Sequence, residues 1–352
     1  MEEKKKTARE IIEGYDGPPV RIMEVCGTHT HEIFRLGIRK LLPEQVELIS
    51  GPGCPVCVTQ VGFIDEAIYL ALERQVTICT FGDLVRVPGT NMSLAGAREK
   101  GAKIRIVYSP VDAKEYAKEH PKEQVTFLSV GFETTTPSAC LSVKKAREEG
   151  LTNYSILTAN KTMPQAYEAL KESADIFLYP GHVNAITGTK LCEELAKEGV
   201  SGVVAGFTAK ELLTALAVAL ARFQEGRPFF VNCYPRVVTE NGSPQAQKLV
   251  EEMMEPCDSE WRGLGVIKGS GMRLQEEWSA FDARKKYKIP LIQGKANPAC
   301  RCGDVLQGKC KPSDCKIFGK ACTPQHPVGA CMVSGEGACS AYYMYGEAEK
   351  MK

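Results

Sequence analysis

Three groups of residues in this chain have the types and spacing to do chemistry. The first is Cys26-Gly-Thr-His-Thr-His31. Cys26 follows a β-rich run and precedes a helical one. A thiol at a helix N-terminus is expected to ionise at lowered pH, as a nucleophile or a metal ligand. His29 is placed to be a second ligand, a proton donor or a helix cap, and His31 stands between such a role and a structural one. The alternative for both is a buried cysteine beside hydrogen-bonded imidazoles. The second group is Gly51-Pro-Gly-Cys-Pro-Val-Cys57. A Cys-x-x-Cys pair, here Cys54 and Cys57, between a strand and a helix suits a thiol–disulfide couple, because the helix end stabilises the first thiolate. Half of a zinc site is the competing reading, and it lacks a second nearby pair. The third group is the run of seven cysteines from Cys300 to Cys339.

That run has only His326 among its thiols, which suits an all-thiolate site. Four thiolates fit either a [4Fe–4S] cluster or a four-cysteine zinc site. Zinc ribbons usually present two tight knuckles with two residues between cysteines, and no such pair occurs here. Cys302, Cys315, Cys322 and Cys339 are separated by twelve, six and sixteen residues, an irregular spacing that favours the cluster. Cys300, Cys310 and Cys331 leave the ligand choice open, with Cys310 the foremost rival. Cys79, Cys140, Cys192, Cys233 and Cys257 are isolated and read as small core residues.

Fifteen cysteines would suggest disulfides in an exported protein. The start, Met1-Glu-Glu-Lys-Lys-Lys, has no apolar stretch of the secretory kind, so a cytoplasmic location is expected and metal or redox chemistry takes precedence. The longest apolar run, 212–220, is well short of the roughly 20 residues needed to span a bilayer. With 44 Lys and Arg against 43 Asp and Glu, no net field draws the chain to nucleic acid or anionic lipid.

The elements that must position these residues recur between 20 and 225. Short β-rich runs at 20–25, 46–49, 76–79, 104–108, 125–128, 154–157, 176–179 and 202–205 alternate with helical segments at 32–42, 63–73, 113–118, 138–149, 165–171, 190–197 and 209–223. Such alternation specifies an α/β fold with parallel sheets. A polar hinge at 118–123 favours two consecutive Rossmann-like domains, 20–120 and 121–230, over one eight-stranded barrel. After Pro228 the pattern stops. A loop-rich third domain follows, with a helix near 243–254, and a metal staple would supply its missing stability. The unusual residues follow strand ends, as do Phe81-Gly-Asp83, Gly131-Phe-Glu-Thr-Thr-Thr-Pro137 and Pro180-Gly-His-Val183. Ligands of open α/β sheets bind at those carboxyl ends, so the five loops predict one shared cleft.

These motifs, with Trp261-Arg-Gly-Leu-Gly265, Cys302-Gly-Asp-Val, Asp314-Cys, Cys322-Thr-Pro and Met332-Val-Ser-Gly-Glu-Gly-Ala-Cys339, resemble the HypD family over nearly the whole chain. Asn184 stands where the family usually has Ser, as Gly335 often does. The resemblance implies a hydrogenase maturation factor, a metallocentre scaffold with redox activity and not a metabolic enzyme. It implies assembly of the Fe(CN)2(CO) unit of [NiFe] hydrogenases together with HypC, cyanide arriving from HypE with HypF, and the hydrogenase large subunit served indirectly. By position, Cys26 resembles the iron-binding cysteine, His29 its neighbouring imidazole, and Cys54 and Cys57 the redox pair. Cys302, Cys315, Cys322 and Cys339 resemble the [4Fe–4S] ligands. The family fold implies two α/β domains plus a cluster domain built from both chain ends, here 1–19 and 231–352. Two other classes compete: a stand-alone iron–sulfur thiol–disulfide oxidoreductase, which has no need of Cys26 or His29, and a zinc-stabilised α/β binding protein without redox chemistry.

Overall fold

The structure, a computed structural model, describes residues 6–346; the outermost parts of the expected cluster domain, 1–5 and 347–352, lie outside the described residues. All eight expected strands form: β1 (Val20–Glu24), β2 (Val46–Ser50), β3 (Thr77–Thr80), β4 (Ile104–Ile106), β5 (Val125–Gly131), β6 (Tyr154–Asn160), β7 (Ile176–Pro180) and β8 (Ser201–Ala205). They are followed by β9 (Phe230–Asn232), β10 (Met254–Trp261) and β11 (Gly265–Leu274). The chain is α/β, with two parallel sheets and no barrel. The outer sheet runs β2-β1-β7-β8-β9 and the inner sheet β4-β3-β5-β6.

The sheets do not divide at 120. The inner sheet is an insertion: the chain leaves the outer sheet after β2, builds β3 to β6, and returns at β7. The 118–123 segment is only the turn between the Pro110–Glu119 helix and β5, and Asn153 holds it by donating to the carbonyls of Ala117, His120 and Glu123. Sequence periodicity reports which segments are strands and not which strands pair, so the expected boundary fell on a tight turn inside one unit.

The first helix, Ala8–Glu13, also departs from expectation. It buries Ile12 with Ile22, Ile33 and Leu216, so 6–19 belong to the outer unit and not to the cysteine-rich region. Thr7 and Glu10 cap it reciprocally. The region after Pro228 is likewise shared out. β9 extends the outer sheet, whereas the antiparallel β10–β11 hairpin packs on the inner unit, burying Met254 and Leu274 with Phe127 and Ile156. Gly263 and Gly265 turn this hairpin with φ of 81° and 80°, which only glycine adopts at little cost. No helix among the described residues is long and apolar enough to cross a membrane.

Candidate metal centre and thiol pair

In the outer sheet the strand order reverses between β1 and β7, and the crevice of an α/β sheet opens at such a point. Because the strands are parallel, their carboxyl ends lie along one edge. β2 therefore delivers Cys54, β1 delivers Cys26, β7 delivers His182 and β8 delivers Phe207, in spatial order.

Cys26 is the N-cap of the Gly27–Arg35 helix and is 1% exposed. The backbone amides of His29 and Thr28 approach its sulfur, yet burial outweighs them and pushes the thiol up to about 12. The expected lowering is thus overturned: desolvation of the thiolate exceeds what a helix end returns. His182 Nδ1 lies 4.0 Å from the Cys26 sulfur. His29 is fully buried and donates from Nε2 to the carbonyl of Gly206 over 3.0 Å, leaving Nδ1 as a buried acceptor without a partner. Burial holds His29 down to about 3 and His182 down to about 4, so both rings are neutral at pH 7. Phe207 packs between them, 4.8 Å and 5.2 Å from their centroids. His31 instead faces the carbonyl of Gly335 at 3.0 Å.

The pair Cys54 and Cys57 is buried, and the Cys57 amide donates to the Cys54 sulfur over 3.3 Å. Cys57 is packed in one buried core with Cys331 and Cys302, and Cys300 and Cys339 pack against that core. Burial pushes the Cys57 thiol well up. Five cysteines, Cys300, Cys302, Cys315, Cys322 and Cys339, line one small cavity walled by Val305, Ile317, Phe318 and Met332. The Val328 amide donates to the Cys322 sulfur over 3.4 Å. All four expected cluster cysteines are therefore together. Cys310 is not with them; it lines a separate surface groove beside Lys309 and Asp314. The rival for a ligand position is Cys300. Among the described residues no three such side chains converge as the ligands of a single ion would. An apolar cavity ringed by thiols suits a multi-iron cluster better than one zinc ion, so the donor set fits.

Glu336 and Asp83 were not singled out as site residues. Thr28 donates to Glu336 over 2.6 Å, and a Cβ on Gly27 would meet the Glu336 side chain at 2.7 Å, so the loop leading to Cys339 closes directly over Cys26. Ser334 of the same loop donates to Asp83 over 2.7 Å. Three of the five expected loops, those of Cys26, Cys54 and Asp83, thus meet the cysteine-rich run, and His182 of a fourth lies against Cys26. The fifth supplies Phe132 to the core that holds Cys54 and Cys57, while Glu133 turns inward to accept from the Met163 amide over 2.8 Å. The close approach of Gly27 to Glu336 was the only sequence-level signal, as a glycine beside a cysteine at a helix start.

A family model described as "HypD: Hydrogenase formation hypA family" matches residues 2–346. The chain belongs to the HypD family. It is 42% identical over 347 residues to the hydrogenase maturation factor HypD of Cupriavidus necator, covering 95% of this chain and 92% of that protein. Against HypD of Rhodobacter capsulatus it is 44% identical, covering 94% and 90%. Against HypD of Escherichia coli K12 it is 43% identical, again covering 94% and 90%. In this HypD-family chain, the residues that carried the resemblance are the ones gathered at the reversal of the outer sheet and in the cysteine cavity.

Proposed function

We propose that the chain is a hydrogenase maturation factor that holds the iron of a Fe(CN)2(CO) unit at Cys26 while that unit is assembled and passed on. The observation that carries the reading is one shared core: Cys26 lies beside the Cys54/Cys57 loop, and that pair is packed together with Cys331 and with Cys302, which lines a five-cysteine cavity. The iron unit is cargo. A soft thiolate suits low-spin iron. With its thiol held up near 12, Cys26 stays protonated until a cation displaces the proton, and the neutral His182 ring lies 4.0 Å from the sulfur. His29, neutral and fixed by Gly206, keeps an acceptor free in the same crevice.

One thiol cannot complete iron coordination, so the remaining protein ligand comes from a partner, HypC, with cyanide delivered by HypE together with HypF. A [4Fe–4S] cluster held by Cys302, Cys315, Cys322 and Cys339 supplies single electrons when bound. Cys331 packs in the same core as Cys57 and Cys302. The Cys54/Cys57 pair stores two electrons as a dithiol and releases them on closing a disulfide. The cytoplasm, where thiols stay reduced, is the compartment this chemistry needs.

The test is infrared spectroscopy of the protein co-purified with HypC. Cys26→Ala should remove the cyanide and CO bands and leave the brown visible absorption of the cluster. Full-strength bands in that variant would overturn the assignment and leave the oxidoreductase reading. A colourless anaerobic preparation containing zinc would overturn the cluster.

A further inference from the structure

On the outer side of the cysteine cavity lies an open cleft of about 800 Å³. Arg86, Arg262 and Lys295 line it together with His326, and no Asp or Glu does. Arg284 and Arg301 are ion-paired with Glu66 and Asp304; among the described residues Arg86, Arg262 and Lys295 have no such pair. Arg262 is anchored through Nε to the carbonyl of Thr59 over 2.8 Å, which leaves one of its amino nitrogens buried and without an acceptor. A buried guanidinium edge without a partner costs stability and marks a place where an anion is expected.

The cleft adjoins the thiol site: Arg262 donates its backbone N–H to the carbonyl of Val58, one residue past Cys57. Arg86 donates to the carbonyl of Pro324 over 2.8 Å, steadying the loop whose Val328 amide holds Cys322. Cys54 and Cys57 themselves are 3% and 0% exposed, so no external protein thiol can attack them. On the redox reading above, electrons reach the pair through the cysteine cavity, whose Cys302 packs in one core with Cys54 and Cys57.

We propose that the cleft docks the acidic surface of an electron-carrying protein, a site that rests on the redox reading above. Two reduced one-electron carriers in turn give up one electron each. The Cys54–Cys57 S–S bond breaks, two protons from water are taken up, and two thiols form. A protein fits better than a small anion because Arg86, Lys295 and His326 lie exposed around an open rim. Exposed charges hold a lone anion weakly, whereas a broad acidic face engages all of them at once and is steered by them. No Phe, Tyr or Trp lines the cleft to stack a nucleotide base.

The test uses the full cluster-loaded protein, a plant-type ferredoxin as acidic probe and cytochrome c as basic control. Lys295→Glu combined with His326→Glu disturbs no internal bond, since neither side chain makes one. The parent should bind ferredoxin with an affinity that falls steeply with salt and should not bind cytochrome c. The double variant should bind ferredoxin at least tenfold more weakly, and ferredoxin should reduce its pair at least tenfold more slowly. Dithionite should reduce the pair at the same rate in both proteins. Equal ferredoxin binding by parent and variant, or equal binding of cytochrome c, overturns the docking site. A pair that dithionite cannot reduce in the parent overturns the redox reading instead, while the binding comparison still decides the site.

Discussion

Gly27 donates its backbone N–H to the carbonyl of Gly53 over 3.0 Å, and a Cβ on Gly53 would lie 2.1 Å from the backbone nitrogen of Cys26. The loop that carries Cys26 and the loop that carries Cys54 are therefore in main-chain contact, and neither can move alone. Gly53→Ala should cost about 1–3 kcal/mol or more, because rigid backbone opposes the new methyl group. Urea unfolding measures this. An unchanged midpoint would mean that the two loops separate freely.

Cys331 is buried in one core with Cys57 and Cys302. Cys331→Ala should therefore slow reduction of the Cys54/Cys57 disulfide by a cluster-directed reductant at least tenfold, with iron content unchanged. Alkylation and mass mapping over time read the rate. Parent-like kinetics would show that electrons bypass this thiol.

Replacing Cys315, Cys322 and Cys339 together with Ala should abolish bound iron and lower the melting temperature, since a metal staple contributes folding free energy. Cys310→Ala should leave iron content near the parent's, because Cys310 faces a different groove. Iron analysis of Cys300→Ala beside Cys302→Ala decides which of these two cavity cysteines is the fourth ligand.

Glu133 has one carboxylate oxygen buried without a partner, and burial raises its pKa to about 7 from an ordinary 4.5. The folded state thus binds this proton more tightly than the unfolded chain. Its contribution is complete below about pH 4.5 and is lost as pH rises through 7. Glu133→Gln keeps a neutral side chain throughout. Relative to the parent, it should gain stability between pH 5 and pH 8, measured by urea unfolding at each pH. A difference independent of pH would mean that Glu133 is charged in the fold.

The eight strands and the residues at their carboxyl ends were legible because buried parallel strands leave short β-branched runs, and because Cys and His beside Gly and Pro are rare neighbours. The Lys190–Lys197 and Ala209–Phe223 helices fell at their expected bounds. The insertion was not legible: nothing in Val20–Glu24 specifies that it pairs with Ile176–Pro180. Nor was the raised Cys26 thiol, since the helix start is visible in sequence while the burial that outweighs it comes from distant residues. The β10–β11 hairpin was missed because its exposed face breaks the apolar run, with Pro256, Asp258, Glu260 and Val266 directed outward. Glu336 reaches Cys26 only because the cysteine-rich run folds back, a contact between residues far apart in the chain.

The nesting of one sheet inside the other also sets an order of events on the ribosome. β1 and β2 emerge first, but β1 lacks its second neighbour until Ile176–Pro180 has been made. During that interval the inner strands β3 to β6 are complete and can pair locally, whereas the outer pair waits with an open, apolar edge. Late closure between distant segments is slow, and waiting edges invite mispairing. The nascent chain is thus exposed for as long as it takes to synthesise the whole inner unit, and the cradle around Cys26 is among the last parts of the molecule to close.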